Sequence, residues 1–60
     1  MKNNLKLIKK FKRGGYKFIL VFDKDDELYY IICVDDGGIV ASASNEDDVI
    51  YEFKEEFRYF

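Results

Sequence analysis

Asn4-Leu5-Lys6-Leu7-Ile8-Lys9-Lys10-Phe11-Lys12-Arg13, followed by Gly14-Gly15, is the stretch on which the fold of this chain turns. Read as a strand, Leu5, Leu7, Lys9 and Phe11 share one face, and Ile8 falls on the wrong side. Read as a helix, Leu5, Leu7, Ile8 and Phe11 share one arc, and Lys6, Lys9, Lys10 and Arg13 take the opposite one. Asn3 or Asn4 can serve as N-cap. Gly14 stands where a helix favours a left-handed residue, with Lys12 and Arg13 in the last turn, where the helix dipole favours cations. The spacing predicts a helix over 4–13. A first edge strand, turning back at Gly14–Gly15, is the alternative.

The rest of the chain reads outward from there. Residues 16–22 (Tyr-Lys-Phe-Ile-Leu-Val-Phe) and 28–34 (Leu-Tyr-Tyr-Ile-Ile-Cys-Val) are rich in β-branched and aromatic residues and predict strands. Asp23-Lys24-Asp25-Asp26-Glu27 is a polar turn between them. Asp35-Asp36-Gly37-Gly38 supplies the residues that tolerate positive φ in a tight hairpin. A further strand covers Ile39–Ala43, with Ile39, Ala41 and Ala43 expected on one face. Ser44 or Asn45 then caps a helix over about 46–58, with acids in its first turn and an apolar stripe of Val49, Ile50, Phe53 and Phe57. The expected fold class is α+β in one domain, 1–60. Its order is α-β-β-β-α, a three-stranded antiparallel meander with an N-terminal and a C-terminal helix packed on the sheet. The alternative order is β-β-β-β-α.

Each central strand is apolar on both faces: Tyr16, Phe18, Leu20 and Phe22 alternate with Ile19 and Val21, and Leu28, Tyr30, Ile32 and Val34 with Tyr29, Ile31 and Cys33. An antiparallel sheet with one wet face alternates cleanly instead. Ile19, Val21, Tyr29, Ile31 and Cys33 are therefore the candidate self-association face, to be covered by a second copy. Chain length points the same way. Sixty residues bury only roughly 60% of the unfolded chain's surface, and small domains commonly gain stability from cross-links, metals or association. One cysteine cannot form an internal disulfide, and with no histidine a structural zinc site is excluded.

Catalysis at neutral pH draws on histidine, an activated thiol or hydroxyl, a metal, or carboxylates held in a cleft. Cys33 lies in an apolar run, where a thiol behaves as a small hydrophobe. No Gly-x-Ser-x-Gly, phosphate-binding loop or Gly-x-Gly-x-x-Gly is present. The acids at 23–27 lack the glycine and terminal glutamate of a calcium loop. No enzyme activity, cofactor or metal is expected. A lone cysteine, a lysine-rich N-terminus without an apolar core, and apolar runs too short to span a bilayer suggest a cytoplasmic protein with no membrane association. Richness in Lys, Asn, Ile, Tyr and Phe suggests an AT-rich bacterial, phage or plasmid gene.

Charge is divided along the chain. Residues 1–17 carry seven cations and no acid; residues 18–60 carry twelve acids and three cations, together −2. Such asymmetry marks interaction surfaces. Lys6, Lys9, Lys10 and Arg13 form the candidate basic patch, suited to nucleic-acid phosphates. Glu46, Asp47, Asp48, Glu52, Glu55 and Glu56 form the candidate acidic surface, suited to a basic protein partner. The two can also complement each other within a chain or across a dimer. The expected function is a small non-enzymatic, self-associating interaction protein, a dimer that binds a protein partner through its acidic surface. An inhibitor or anti-defence role encoded by a phage or mobile element is the analogy. A nucleic-acid-binding module using the basic segment is the alternative.

The α-β-β-β-α order resembles the topology of the double-stranded-RNA-binding domain. That family opens its second helix with lysines, and Asn45-Glu46-Asp47-Asp48 stands there instead, so its RNA-binding surface is not carried over. With residues 4–11 as a strand, the order resembles the small single-strand-DNA-binding coactivator fold, which works as a dimer.

Overall fold

Gly14 and Gly15 settle the first element. In the computed structural model, which describes residues 4–57, their φ angles are 60° and 84°. Positive φ at both central residues is what a two-residue hairpin turn of type I′ requires. Arg13 pairs with Tyr16 across that turn. The segment before it is a strand, β1 (Leu5–Arg13), and not the expected N-terminal helix. It is followed by β2 (Tyr16–Asp23), β3 (Leu28–Cys33), β4 (Ile39–Ala43) and α1 (Glu46–Glu56). The sheet is antiparallel with strand order β1-β2-β3-β4. The order is β-β-β-β-α, with four strands where the sequence predicted three.

Two physical facts explain the correction. A helix over 4–13 would stack Lys6 over Lys9 and Lys10, and Lys9 and Lys10 over Arg13. Like charges at i,i+3 and i,i+4 each oppose a helix by about 0.2–0.5 kcal/mol. The strand sends these cations to both sides of the sheet. Ile8, the residue that spoiled the strand pattern, is a β-bulge: Leu7 pairs with Val21 and Lys9 with Leu20, leaving Ile8 as the extra residue. The bulge moves the apolar side from one face to the other. Leu5 and Leu7 lie on one face, while Ile8 and Phe11 pack against the core on the other.

The other edge strand carries a matching irregularity. Ile31 pairs with Ala41 and Ile32 with Ile39, so Val40 is the extra residue and packs toward the core. Ile39 is thereby turned to the opposite face from Ala41 and Ala43, against the expected alternation, and is 62% exposed.

The remaining turns follow their local chemistry. The Asp23 carboxylate accepts from the Asp25 and Asp26 amides at 2.9 and 3.4 Å, and Glu27 N–H donates to the Asp23 carbonyl at 2.7 Å. Between β3 and β4, Gly37 takes φ 76° and Asp36 accepts from the Gly38 amide at 2.9 Å.

Asn45 is the N-cap of α1. Its side-chain oxygen accepts from the Asp48 amide at 2.8 Å, and its amide nitrogen donates to the Asp48 carboxylate at 2.9 Å. Phe57 is the C-cap; the expected extension to residue 58 lies outside the described residues. The helix packs on β4 and β3 and buries Val49 and Phe53. Ala41 and Ala43 let it sit close to β4. On the other side Phe11, Phe18, Phe53 and Phe57 fill the wider gap above β1 and β2, with ring centroids 4.9–5.6 Å apart. The core is a wedge, thin over the alanines and thick over the phenylalanines. Leu20, Ile31 and Val49 close it with no exposed surface.

Candidate functional site

Register decides which side chains share a surface. Phe18 pairs with Cys33, Leu20 with Ile31 and Phe22 with Tyr29, so these six face the helix. Ile19 pairs with Ile32 and Val21 with Tyr30, so these four face away from it. The five residues expected to form a self-association face are therefore divided. Tyr29, Ile31 and Cys33 belong to the helix side, with Ile31 and Cys33 inside the core. Ile19 and Val21 lie on the open side, where Ile19 is half-buried and Val21 is buried among its neighbours.

That open side has its own members. Leu5 pairs with Asp23, Leu7 with Val21, and Ile39 with Ile32. Val34 continues the ladder by donating its amide to the Lys17 carbonyl at 2.9 Å. Leu5, Leu7, Val34 and Ile39 are all at least half exposed, and they are four of the six large apolar side chains exposed among the described residues. An open concavity of about 810 Å³ runs over Leu5, Leu7, Ile19, Val21 and Val34, with Lys10, Lys12 and Lys17 at its border. Among the described residues nothing from this chain lies over it.

The basic patch is divided too. Lys10 pairs with Ile19 and Lys12 with Lys17, which places these three lysines on the open side. Lys6 pairs with Phe22, Lys9 with Leu20 and Arg13 with Tyr16, which places them on the helix side. Lys6, Lys9, Lys10 and Arg13 thus form no single stripe. Lys9 and Arg13 instead meet Lys12 and Lys54 around a second, smaller cleft of about 220 Å³ between β1 and α1.

The acidic surface is on α1 as expected, and Glu46, Asp47, Asp48, Glu52, Glu55 and Glu56 are all exposed. Asp48 is engaged in the cap. Tyr51, 63% exposed, sits among these acids at helical spacing from Asp47, Asp48 and Glu55. The sequence reading missed Tyr51; an aromatic residue off the apolar stripe of α1 was the available signal. It missed Lys54 as a site residue for a different reason, because only packing of the helix brings that residue toward β1. No ion pair joins Lys6, Lys9, Lys10, Lys12 or Lys17 to a carboxylate among the described residues. Among the described residues no ion pair joins the basic strand to the acidic helix.

No group of three or more His, Cys, Asp or Glu able to hold a metal occurs among the described residues, and no helix there is long and apolar enough to cross a membrane. Comparison with protein-family models, with curated proteins and with solved structures returns no match.

Proposed function

We propose that this is a non-enzymatic interaction protein that pairs with a second copy through the open face of its sheet and presents the acidic face of α1 to a basic protein partner. The observation that carries the reading is the open face itself, where Leu5, Leu7, Val34 and Ile39 are exposed together beside Ile19, Tyr30 and Ile32. Contiguous apolar surface of this kind marks a contact site.

A second copy is the occupant favoured by charge. Lys10, Lys12 and Lys17 occupy one corner of the face, near the Gly14–Gly15 turn. Asp35 and Asp36 lie at the same end, where the Asp35 carboxylate accepts from the Lys17 amide at 3.1 Å, and the acidic turn 23–27 lies at the opposite end. A face-to-face pair has its two-fold axis in the plane of the sheet, either along the strands or across them. Each choice brings the lysine corner of one copy over an acidic turn of the other. Four strands about 4.8 Å apart and about 3.3 Å per residue give a face of roughly 500 Å². Two such faces together reach about 1,000 Å², where specific interfaces begin. Two sheets can stack about 10 Å apart with their strands within about 30°.

With the sheets paired, α1 faces outward on both sides of the dimer. Tyr51 supplies an exposed aromatic anchor and the surrounding carboxylates a charged rim, the arrangement of an interface centred on a few residues.

Light scattering after size exclusion tests the pairing: a dimer mass is expected for the native chain and a monomer mass for Ile19→Glu. In the monomer the new carboxylate sits beside Lys10, its cross-strand neighbour, so the fold tolerates it. A native chain that stays monomeric at high micromolar concentration defeats the proposal.

A further inference from the structure

The cleft on the helix side of β1 meets the open face at the sheet edge, where Phe11 and Lys12 line both. It exists because the helix settles on the alanines of β4 and reaches β1 only through the phenylalanine layer, so the outer edge of β1 is left beside α1 rather than beneath it. Lys9, Arg13 and Lys54 border it over the rings of Phe11 and Phe53, Lys12 reaches it from the sheet edge, and among the described residues no carboxylate lines it. Four cations around one small cleft repel one another, and a low-dielectric wall strengthens their shared field.

Arg13 adds a second observation. Its Nε is shut off from solvent and has no hydrogen-bond partner among the described residues. A guanidinium N–H without an acceptor is a vacant place for one, and it becomes reachable from the cleft as the side chain turns. An anionic oxygen is the partner that satisfies both the donor and the field.

From these we infer that the cleft between β1 and α1 is a binding site for a phosphoryl anion. Arginine meets a phosphate with a fork of donors and lysines meet it as point charges. A phosphoryl group has the oxygens and the charge to engage several of these cations together, which a single carboxylate does not. The cleft volume, about 220 Å³, is below the roughly 300 Å³ at which pockets begin to enclose a whole organic ligand. The site therefore takes one or two phosphoryl groups, and the remainder of the ligand lies outside, along β1. A free polyphosphate, a nucleotide and a nucleic-acid strand share this chemistry.

The test is an NMR titration of the native chain at low ionic strength with inorganic pyrophosphate, and separately with a short thymidine oligonucleotide. The Arg13 Nε–H signal is the readout specific to the site. It is expected to move with either probe, together with the backbone amides around residues 9–13 and 50–54. Arg13→Gln is expected to weaken binding about tenfold, the size of a lost charge-assisted hydrogen bond. Lys54→Gln, an exposed change that the fold accepts, is expected to weaken it by several fold. Lys10→Gln, on the other face, changes it by less than about twofold, because bulk salt screens distant charges. Tighter binding of the oligonucleotide with steep salt dependence identifies a nucleic-acid strand as the source of the phosphate. Equal or tighter binding of pyrophosphate identifies a small phosphorylated ligand. The inference is overturned if neither probe moves the Arg13 signal at millimolar concentration, or if the shifts centre on Lys10 and Lys17 instead.

Discussion

The two faces of the sheet are built from equally apolar strands and have opposite fates. On the helix side Phe18, Leu20, Ile31 and Cys33 are buried under Val49 and Phe53. On the other side Leu5, Leu7, Val34 and Ile39 stand open to solvent. Hydrophobic patterning does not distinguish them; the supply of cover does. The described residues include one helix, of eleven residues, Glu46–Glu56, and it covers one face of the sheet. The uncovered face also differs in charge, since the three lysines of its corner border apolar side chains directly. What the difference teaches is that two equally apolar faces can differ in cover alone: α1 packs on one side, and among the described residues no element packs on the other.

Four substitutions can break or sharpen this contrast. Phe18→Ala removes a ring from the centre of the covered side, where it touches Phe11, Phe53 and Phe57. Phe→Ala in a core costs about 3–5 kcal/mol, comparable with the whole stability of a domain this small. Circular dichroism is expected to show a chain largely unfolded at room temperature. Ile19→Glu, on the opposite face, is expected to cost the monomer about 1 kcal/mol, since Ile19 is only half-buried. Its signature is a melting temperature that no longer rises with protein concentration. If urea titration finds the two losses equal, the open side is already a closed core and the contrast collapses.

Asn45→Ala loosens the cover without touching either face. The loss of the cap to Asp48 is expected to cost about 1 kcal/mol, read as a lower urea midpoint with an unchanged slope. Glu27→Gly has the smallest effect and the opposite sign. Glu27 holds a left-handed φ of 56°, which costs an ordinary residue about 1 kcal/mol. Glycine removes that strain but loosens the unfolded chain, so a net gain of about 0.5 kcal/mol is expected, seen as a slightly higher melting temperature.

Much of the fold was legible before any coordinates. The two central strands, the glycine turn at 37–38 and the capped helix with its stripe of Val49, Ile50, Phe53 and Phe57 each follow from local pattern. The first strand was legible only as the alternative to a helix. Its period is broken at Ile8, and a broken period of two resembles a helical arc until a bulge is allowed for. The acidic surface was legible because helical spacing gathers it. The basic patch was not, because Lys6, Lys9, Lys10 and Arg13 share a face on a helix and are split between two faces on a bulged strand.

The sequence by itself determined that β2 and β3 each carry two apolar faces, and that turns fall at 14–15, 23–27 and 35–38. It could not determine which face of β2 joins which face of β3. The pairing of Leu20 with Ile31, rather than with Tyr30 or Ile32, is what sends Cys33 and Tyr29 to the helix and Tyr30 and Ile32 to the open side. A strand has a period of two, so a shift of one residue in register moves every side chain to the opposite face. With apolar residues on both faces, pattern alone leaves that shift undecided. Only the tertiary structure resolves it, because the wedge beneath α1 sets phenylalanines over one pair of strands and alanines under the other.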